Sequence, residues 1–146
     1  MIRAFFSPGN YPQNLSLALL LLRLASGGMM LVHGFEKFSK LFGDDPIIFA
    51  DPFNIGAPAS LALTVFAEVL CAIFLIVGFV TRLSAVPLLI TMLVAVFVIH
   101  ADHGFEKQEL PLAYAVMYLT LAITGSGRFS VDELIFNRAN FTLQKS

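Results

Sequence analysis

The stretch LSLALLLLRLASGGMMLVHGF, residues 15–35, decides how the rest of the chain is read. A helix needs roughly 20 mostly apolar residues to cross a bilayer, and this run has that length with a single charge inside it. It is far too long for a strand. Only helices and closed barrels satisfy their backbone groups in lipid, so the run reads as a spanning helix. Its one charge, Arg23, sits mid-helix, and His33 stands near its end.

Three further apolar runs follow, at residues 59–80, 83–101 and 110–125; the last is short and is expected to extend to either side. Over the 146 residues, 58% are hydrophobic and 13% charged, more apolar content than a soluble core of this length needs. The sequence therefore predicts an all-α membrane protein, a four-transmembrane-helix bundle over residues 15–125. Residues 1–14 read as an interfacial arm, with Phe5, Phe6 and Tyr11 at headgroup depth. Residues 126–146 read as a cytoplasmic tail: Gly125 and Gly127 stop the fourth span, and Ser130-Val131-Asp132-Glu133 starts a short amphipathic helix. Leu15–Leu22 resembles a signal-peptide core, but apolar sequence continues to Phe35, which favours an uncleaved first helix.

The formal net charge of −1 and the lack of a basic patch with interleaved aromatics give no case for nucleic acid. The single cysteine, Cys71, rules out an intrachain disulfide, a CxxC pair or a thiolate zinc site. Arg3, Arg82, Arg128, Arg138 and Lys145 fall on one side of the predicted membrane, and Lys37, Lys40 and Lys107 on the other, among many acids. The positive-inside rule then places both termini in the cytoplasm.

At 100° per residue, Ser26, Gly27, Met30, His33, Gly34 and Lys37 lie within about 80° of Arg23, so the first helix has one polar, small-residue face. That face is expected to point into the bundle, with Gly27 and Gly34 allowing close approach. Glu68 is the matching anomaly in the second span, sharing a face with Thr64, Cys71, Ala72 and Arg82. Counting at about 1.5 Å per residue from the ends of the apolar runs puts Arg23 and Glu68 within about 5 Å of the same level. They are expected to pair inside the bundle. Intramembrane charges often mark ion, proton or ligand paths, whereas a buried ion pair can also do no more than fix helix register.

His33, His100 and His103 lie toward the opposite edge from the termini, with Asp102 beside the last. No HExxH or comparable ligand spacing occurs, so neither haem nor metal is predicted, and donation to loop carbonyls is the plainer use of these rings. Pro87 and Thr91 in the third run are milder signals. Tyr114 and Tyr118 are one turn apart; they suit either a ligand carbonyl or ordinary packing between helices.

The pentapeptide HGFEK occurs twice, at His33–Lys37 and His103–Lys107. Both copies close odd-numbered spans and so fall at the same membrane face. Shifting the chain by 70 residues sets Leu93 against Arg23, so no duplicated domain is supported. The first copy continues the face that carries Arg23 and is the candidate site element. The second reads as an edge turn, with His103 able to face the same rim.

In order along the chain, several pieces resemble the DoxX family of small bacterial membrane proteins. They are Arg23 followed by His33-Gly34-Phe35-Glu36-Lys37-Phe38, then Phe53-Asn54-Ile55-Gly56-Ala57-Pro58, Glu68, Gly78-Phe79-Val80-Thr81-Arg82, a helix ending near His100, and Gly125-Ser126-Gly127-Arg128-Phe129-Ser130-Val131-Asp132. The resemblance implies a four-helix bundle in the bacterial cytoplasmic (inner) membrane, and gives weight to Arg23, His33, Lys37, Glu68, Arg82 and the 125–132 tail. Some members are linked to quinone-dependent sulfur oxidation as thiosulfate:quinone oxidoreductase subunits, others to oxidative-stress complexes.

The expected function is a quinone-linked redox or small-molecule-binding subunit. Arg23, Glu68 and His33 would act on the ligand, and Lys37, Arg82, Tyr114, His100 and His103 would help to hold it. With no flavin, iron–sulfur or dithiol motif in the sequence, electrons would come from a partner subunit or a bound ligand. The alternative is a non-enzymatic structural or assembly subunit that recruits a soluble partner, or a homo-oligomer, through residues 38–58 or the tail. Solute transport ranks last, since broken helices are not evident apart from Pro87.

Overall fold

The computed structural model describes residues 8–136, and every regular element among them is helical. Arg3, Phe5, Phe6, Arg138 and Lys145 lie outside the described residues. Helix α1 covers Gln13–Leu41, α2 covers Ala57–Val77, α3 covers Thr81–Ile99 and α4 covers Phe105–Thr124. Residues 131–136 are helical again.

Three of these helices, α1, α2 and α3, are long and apolar enough to cross a membrane. The fourth run extends on its N-terminal side alone, back to Phe105, and stops at Thr124. That extension brings Glu106, Lys107 and Glu109 into its first turns, so its continuous apolar part is shorter than in the other three. Apolar side chains point outward on all four helices: Leu21, Val32, Leu63, Phe97 and Ile123 are each more than half exposed. Apolar surface of that extent belongs against lipid rather than water.

The inward faces follow the sequence pattern. On α1 the buried residues are Ser16, Leu19, Arg23, Ser26, Gly27, Met30 and Gly34, a stripe at three- and four-residue spacing. They pack on a core that includes Leu75, Ala85, Leu88, Tyr118 and Leu121. Gly34 is needed there: a Cβ on it would lie 2.8 Å from the Glu68 carbonyl oxygen, so the α1 backbone rests directly on α2. Tyr118 donates from α4 to the Ser26 carbonyl (3.2 Å), tying α4 to the same stripe.

Two stretches depart from regular α-helix. Residues Phe66–Cys71 within α2 and Ala95–Ile99 at the end of α3 are π-helical. Such widened turns usually occur singly within α-helices and often at functional sites. Pro87 and Pro111 lie inside α3 and α4, where neither ring nitrogen can donate to the preceding turn. The helices nonetheless run on through these turns and prolines without a break.

At the end near Pro8 and residues 126–132, α2 stops in a left-handed Gly78 (φ 74°), with Gly78 N donating to the Leu75 carbonyl and Phe79 N to that of Phe74. Val80 follows, also left-handed (φ 47°), a strained setting for a β-branched residue. The buried Asp132 carboxylate accepts from Val80 N (2.7 Å) and Thr81 N (3.0 Å), capping α3 from the tail. Ser130 accepts from Glu133 N, as an N-cap does. Tyr11, expected among headgroups, donates to the Thr124 carbonyl (3.0 Å) and packs against the core.

Candidate functional site

The expected Arg23–Glu68 pair does not form. Arg23 is 1% exposed, and among the described residues its guanidinium donates to backbone carbonyls, with the Asp132 carboxylate near enough to act on it through charge alone. Nε reaches Leu75 (2.9 Å), Nη2 reaches Ile76 (3.0 Å), and Nη1 reaches Ser126 (2.6 Å) and Phe129 (3.0 Å). Leu75 and Ile76 belong to the last turn of α2, where the carbonyls run out of regular helical partners and Leu75 otherwise meets only the capping Gly78 amide. Arg23 therefore caps α2 and staples the 126–129 tail to it.

The level estimate failed because α1 begins well below the end of α2. Gly34 stands against Glu68, while Arg23 stands beside Gly78. Eleven residues of helix separate them on α1, about 16 Å.

Glu68 pairs instead with Lys37. The ammonium lies 2.7 Å from Oε1 and 2.5 Å from Oε2, with Glu68 buried and the Lys37 side chain 27% exposed. The close approach at Gly34 puts the next turn of α1, and with it Lys37, opposite the π-helical segment that carries Glu68. A carboxylate held by both oxygens in a largely apolar setting is a costly arrangement, and removing either partner would leave a stranded charge.

This pair forms one wall of a cavity of about 540 Å³. Met30 and His33 border it from α1, Thr64 and Ala67 from α2, Thr91 and Ala95 from α3, and Tyr114 from α4. His100, just past the π-helical end of α3, also lines it; its Nδ1 is buried without a hydrogen-bond partner. Both π-helical segments and both helix-interior prolines contribute to the wall. The loop between α1 and α2 closes one end with Phe49, Ala50, Pro52 and Phe53.

That loop is anchored by Asp51, whose carboxylate accepts from Ser60 Oγ (2.6 Å), Gly56 N (2.7 Å) and Ile55 N (3.0 Å). The Ser60 hydroxyl first, and the two amides with it, hold this carboxyl below its usual range against a smaller opposing effect of desolvation. Sequence reasoning passed over Asp51, although Asp followed four and five residues later by Ile-Gly before a helix is a recognisable loop-and-cap signal.

Of the residues selected from sequence, His33, Lys37, Glu68, His100 and Tyr114 meet at the cavity. Arg23 and Arg82 do not. Arg82 lies at the far end of the bundle, in the first turn of α3, donating to the Thr124 carbonyl (3.2 Å). His103 is apart from the cavity lining, and its ring meets His100 edge-on at 5.6 Å. Among the described residues no three His, Cys, Asp or Glu side chains come close enough to share a metal ion.

Comparison with known proteins gives the chain its relatives. The DoxX family model matches residues 18–101. An uncharacterized protein of Haemophilus influenzae is 35% identical over 125 residues, covering 81% of this chain and 83% of its own length. A second uncharacterized protein of that organism is 30% identical over 82% of this chain and 92% of its own. A Bacillus subtilis protein carrying the name "Putative oxidoreductase CatD" is 27% identical over 80% of this chain and 86% of its own. No solved structure matches.

Proposed function

This chain belongs to the DoxX family of membrane proteins, and from that premise we propose that it binds a quinone-like small molecule in the cavity beside Lys37 and Glu68, as a redox-linked subunit of the bacterial inner membrane. The observation that carries this reading is the meeting of a largely buried ion pair with a cavity whose walls are mainly apolar and carry a few further polar side chains. Binding sites for small apolar ligands have this composition: hydrophobic walls and a few placed polar groups.

The polar groups suit a quinoid ring in either oxidation state. Lys37 offers N–H donors and His100 an unpartnered ring nitrogen, while Glu68 offers an acceptor. A carbonyl head would take the donors and a hydroxyl head the carboxylate. The name of the Bacillus subtilis relative supports redox chemistry, with electrons supplied by a partner subunit.

In this reading α4 is a fourth span, its polar first turns at headgroup level, and both termini are cytoplasmic. Arg82 and Arg128 then lie on the positive side, and Lys37 and the 42–56 loop face outward. Arg23 serves the architecture rather than the ligand, since all its described hydrogen bonds go to backbone carbonyls.

The test is mass spectrometry of small molecules that accompany the protein through purification in mild detergent. Quinone near one equivalent per chain is expected. Purified protein free of quinone, and unable to take it up when it is added, would refute the reading.

A further inference from the structure

We infer that the cavity opens sideways into the bilayer through a portal between the middles of α2 and α3, and that this portal holds the hydrocarbon tail of its ligand. The inference rests on the ligand reading above and adds where the molecule enters and what kind of molecule it is. Leu63 and Phe66 on α2 and Ile90 on α3 line the cavity and, at 56%, 48% and 51% exposure, are left largely uncovered by the other helices. The wall they form is therefore the thinly covered side of the cavity.

Their depth decides what lies outside. Phe66 and Ile90 stand near the middle of the spanning helices Ala57–Val77 and Thr81–Ile99. At that level the surroundings are acyl chains, not water. The opposite route is roofed by Phe49, Pro52 and Phe53 on a loop pinned by Asp51 to the start of α2. Of the polar groups in the cavity, Lys37 and His100 lie on the loop side of the portal, and Glu68 lies level with it, within one turn of Phe66.

A molecule filling this shape has a polar head near Glu68 and an apolar tail leaving between Phe66 and Ile90. That is a bilayer-resident amphiphile of the tailed-quinone class, not a water-soluble metabolite. The π-helical segment Phe66–Cys71 widens α2 at this point, and it begins at the portal residue itself.

The chain has no tryptophan, so one introduced at the portal is a unique reporter. Phe66→Trp, or Ile90→Trp should the first not fold, is compared with Ile123→Trp, an exposed position on α4 away from the cavity. Each full-length variant is placed in nanodiscs of phosphatidylcholine with brominated acyl chains, and separately titrated with a decyl-tailed benzoquinone. Brominated lipid is expected to quench both positions to within about twofold of each other. The quinone should quench the portal tryptophan to saturation near one equivalent, and Ile123→Trp only in linear proportion to its membrane concentration. Shielding of the portal tryptophan from brominated lipid, with saturable quinone quenching retained, would overturn the portal and leave the ligand reading standing. Linear quenching at both positions would remove the tailed quinone as occupant and contradict both.

Discussion

Lys37 on α1 closes on both carboxylate oxygens of Glu68 on α2, at 2.7 and 2.5 Å, one turn beyond the point where Gly34 lets the two backbones touch. The pair and the close approach are one construction. Without Gly34 the Lys37 ammonium would not reach the widened turn that holds Glu68.

Lys37→Met should strand the buried carboxylate and destabilise the fold by about 3 kcal/mol, the low end for breaking a buried pair because Lys37 is partly exposed. Lys37→Met with Glu68→Gln should recover most of that loss. Thermal unfolding of the two single variants and the double variant in detergent checks it, and additive losses would contradict the pairing.

Arg23→Lys should fail where a charge alone would suffice. Its four carbonyl acceptors spread over two segments, and an ammonium cannot span them as a planar guanidinium does. The expected cost is about 2 kcal/mol or more. Hydrogen exchange should show the amides of residues 126–130 losing protection before those of α2.

Two glycines on α1 should respond with opposite sign. A Cβ at Gly28 meets nothing within 4 Å, so Gly28→Ala should stabilise by about 0.5–1 kcal/mol. A Cβ at Gly34 would lie 2.8 Å from the Glu68 carbonyl oxygen and 2.9 Å from Val69 Cγ2. Gly34→Ala should cost about 1–3 kcal/mol and loosen the Lys37–Glu68 pair. Melting temperatures measured side by side decide it.

Asp51 gives the loop over the cavity a pH dependence. Its folded pKa is lowered, chiefly by Ser60, so its contribution is present above the unfolded carboxylate value and is lost as pH falls through the lower folded value. Protection of the Ile55 and Gly56 amides should be constant near neutrality and fall only below about pH 4. Asp51→Asn should remove that dependence, measured by hydrogen exchange at matched intrinsic rates.

The inward face of α1 was legible because its polar and small residues repeat at helical spacing. The burial of Arg23 and Glu68 was legible too. Their partners were not, because partnership depends on register, and apolar runs do not reveal where helices start relative to one another. The glycines held the missing signal: Gly34 against α2 sets Glu68 beside Lys37, and Gly78 against Arg23 sets the end of α2. Asp132 reads locally as a first-turn acid of the tail helix, yet it caps α3, some fifty residues earlier in the chain. The π-helical segments have no side-chain signature at all. They redirect Glu68 and His100 toward the cavity through one additional backbone residue per turn.

The central claim is that the space beside Lys37 and Glu68 holds a ligand, and filling that space tests it most directly. Ala95 lines the cavity without hydrogen-bonding the pair, so Ala95→Phe should occupy the volume and leave Lys37–Glu68 intact. Thermal unfolding in nanodiscs is followed while a decyl-tailed benzoquinone is titrated, since a ligand that binds only the folded state raises the melting temperature as it saturates. A saturable rise in the native protein that is absent in Ala95→Phe is the predicted result. An equal rise in both proteins, or none in the native one, would contradict it.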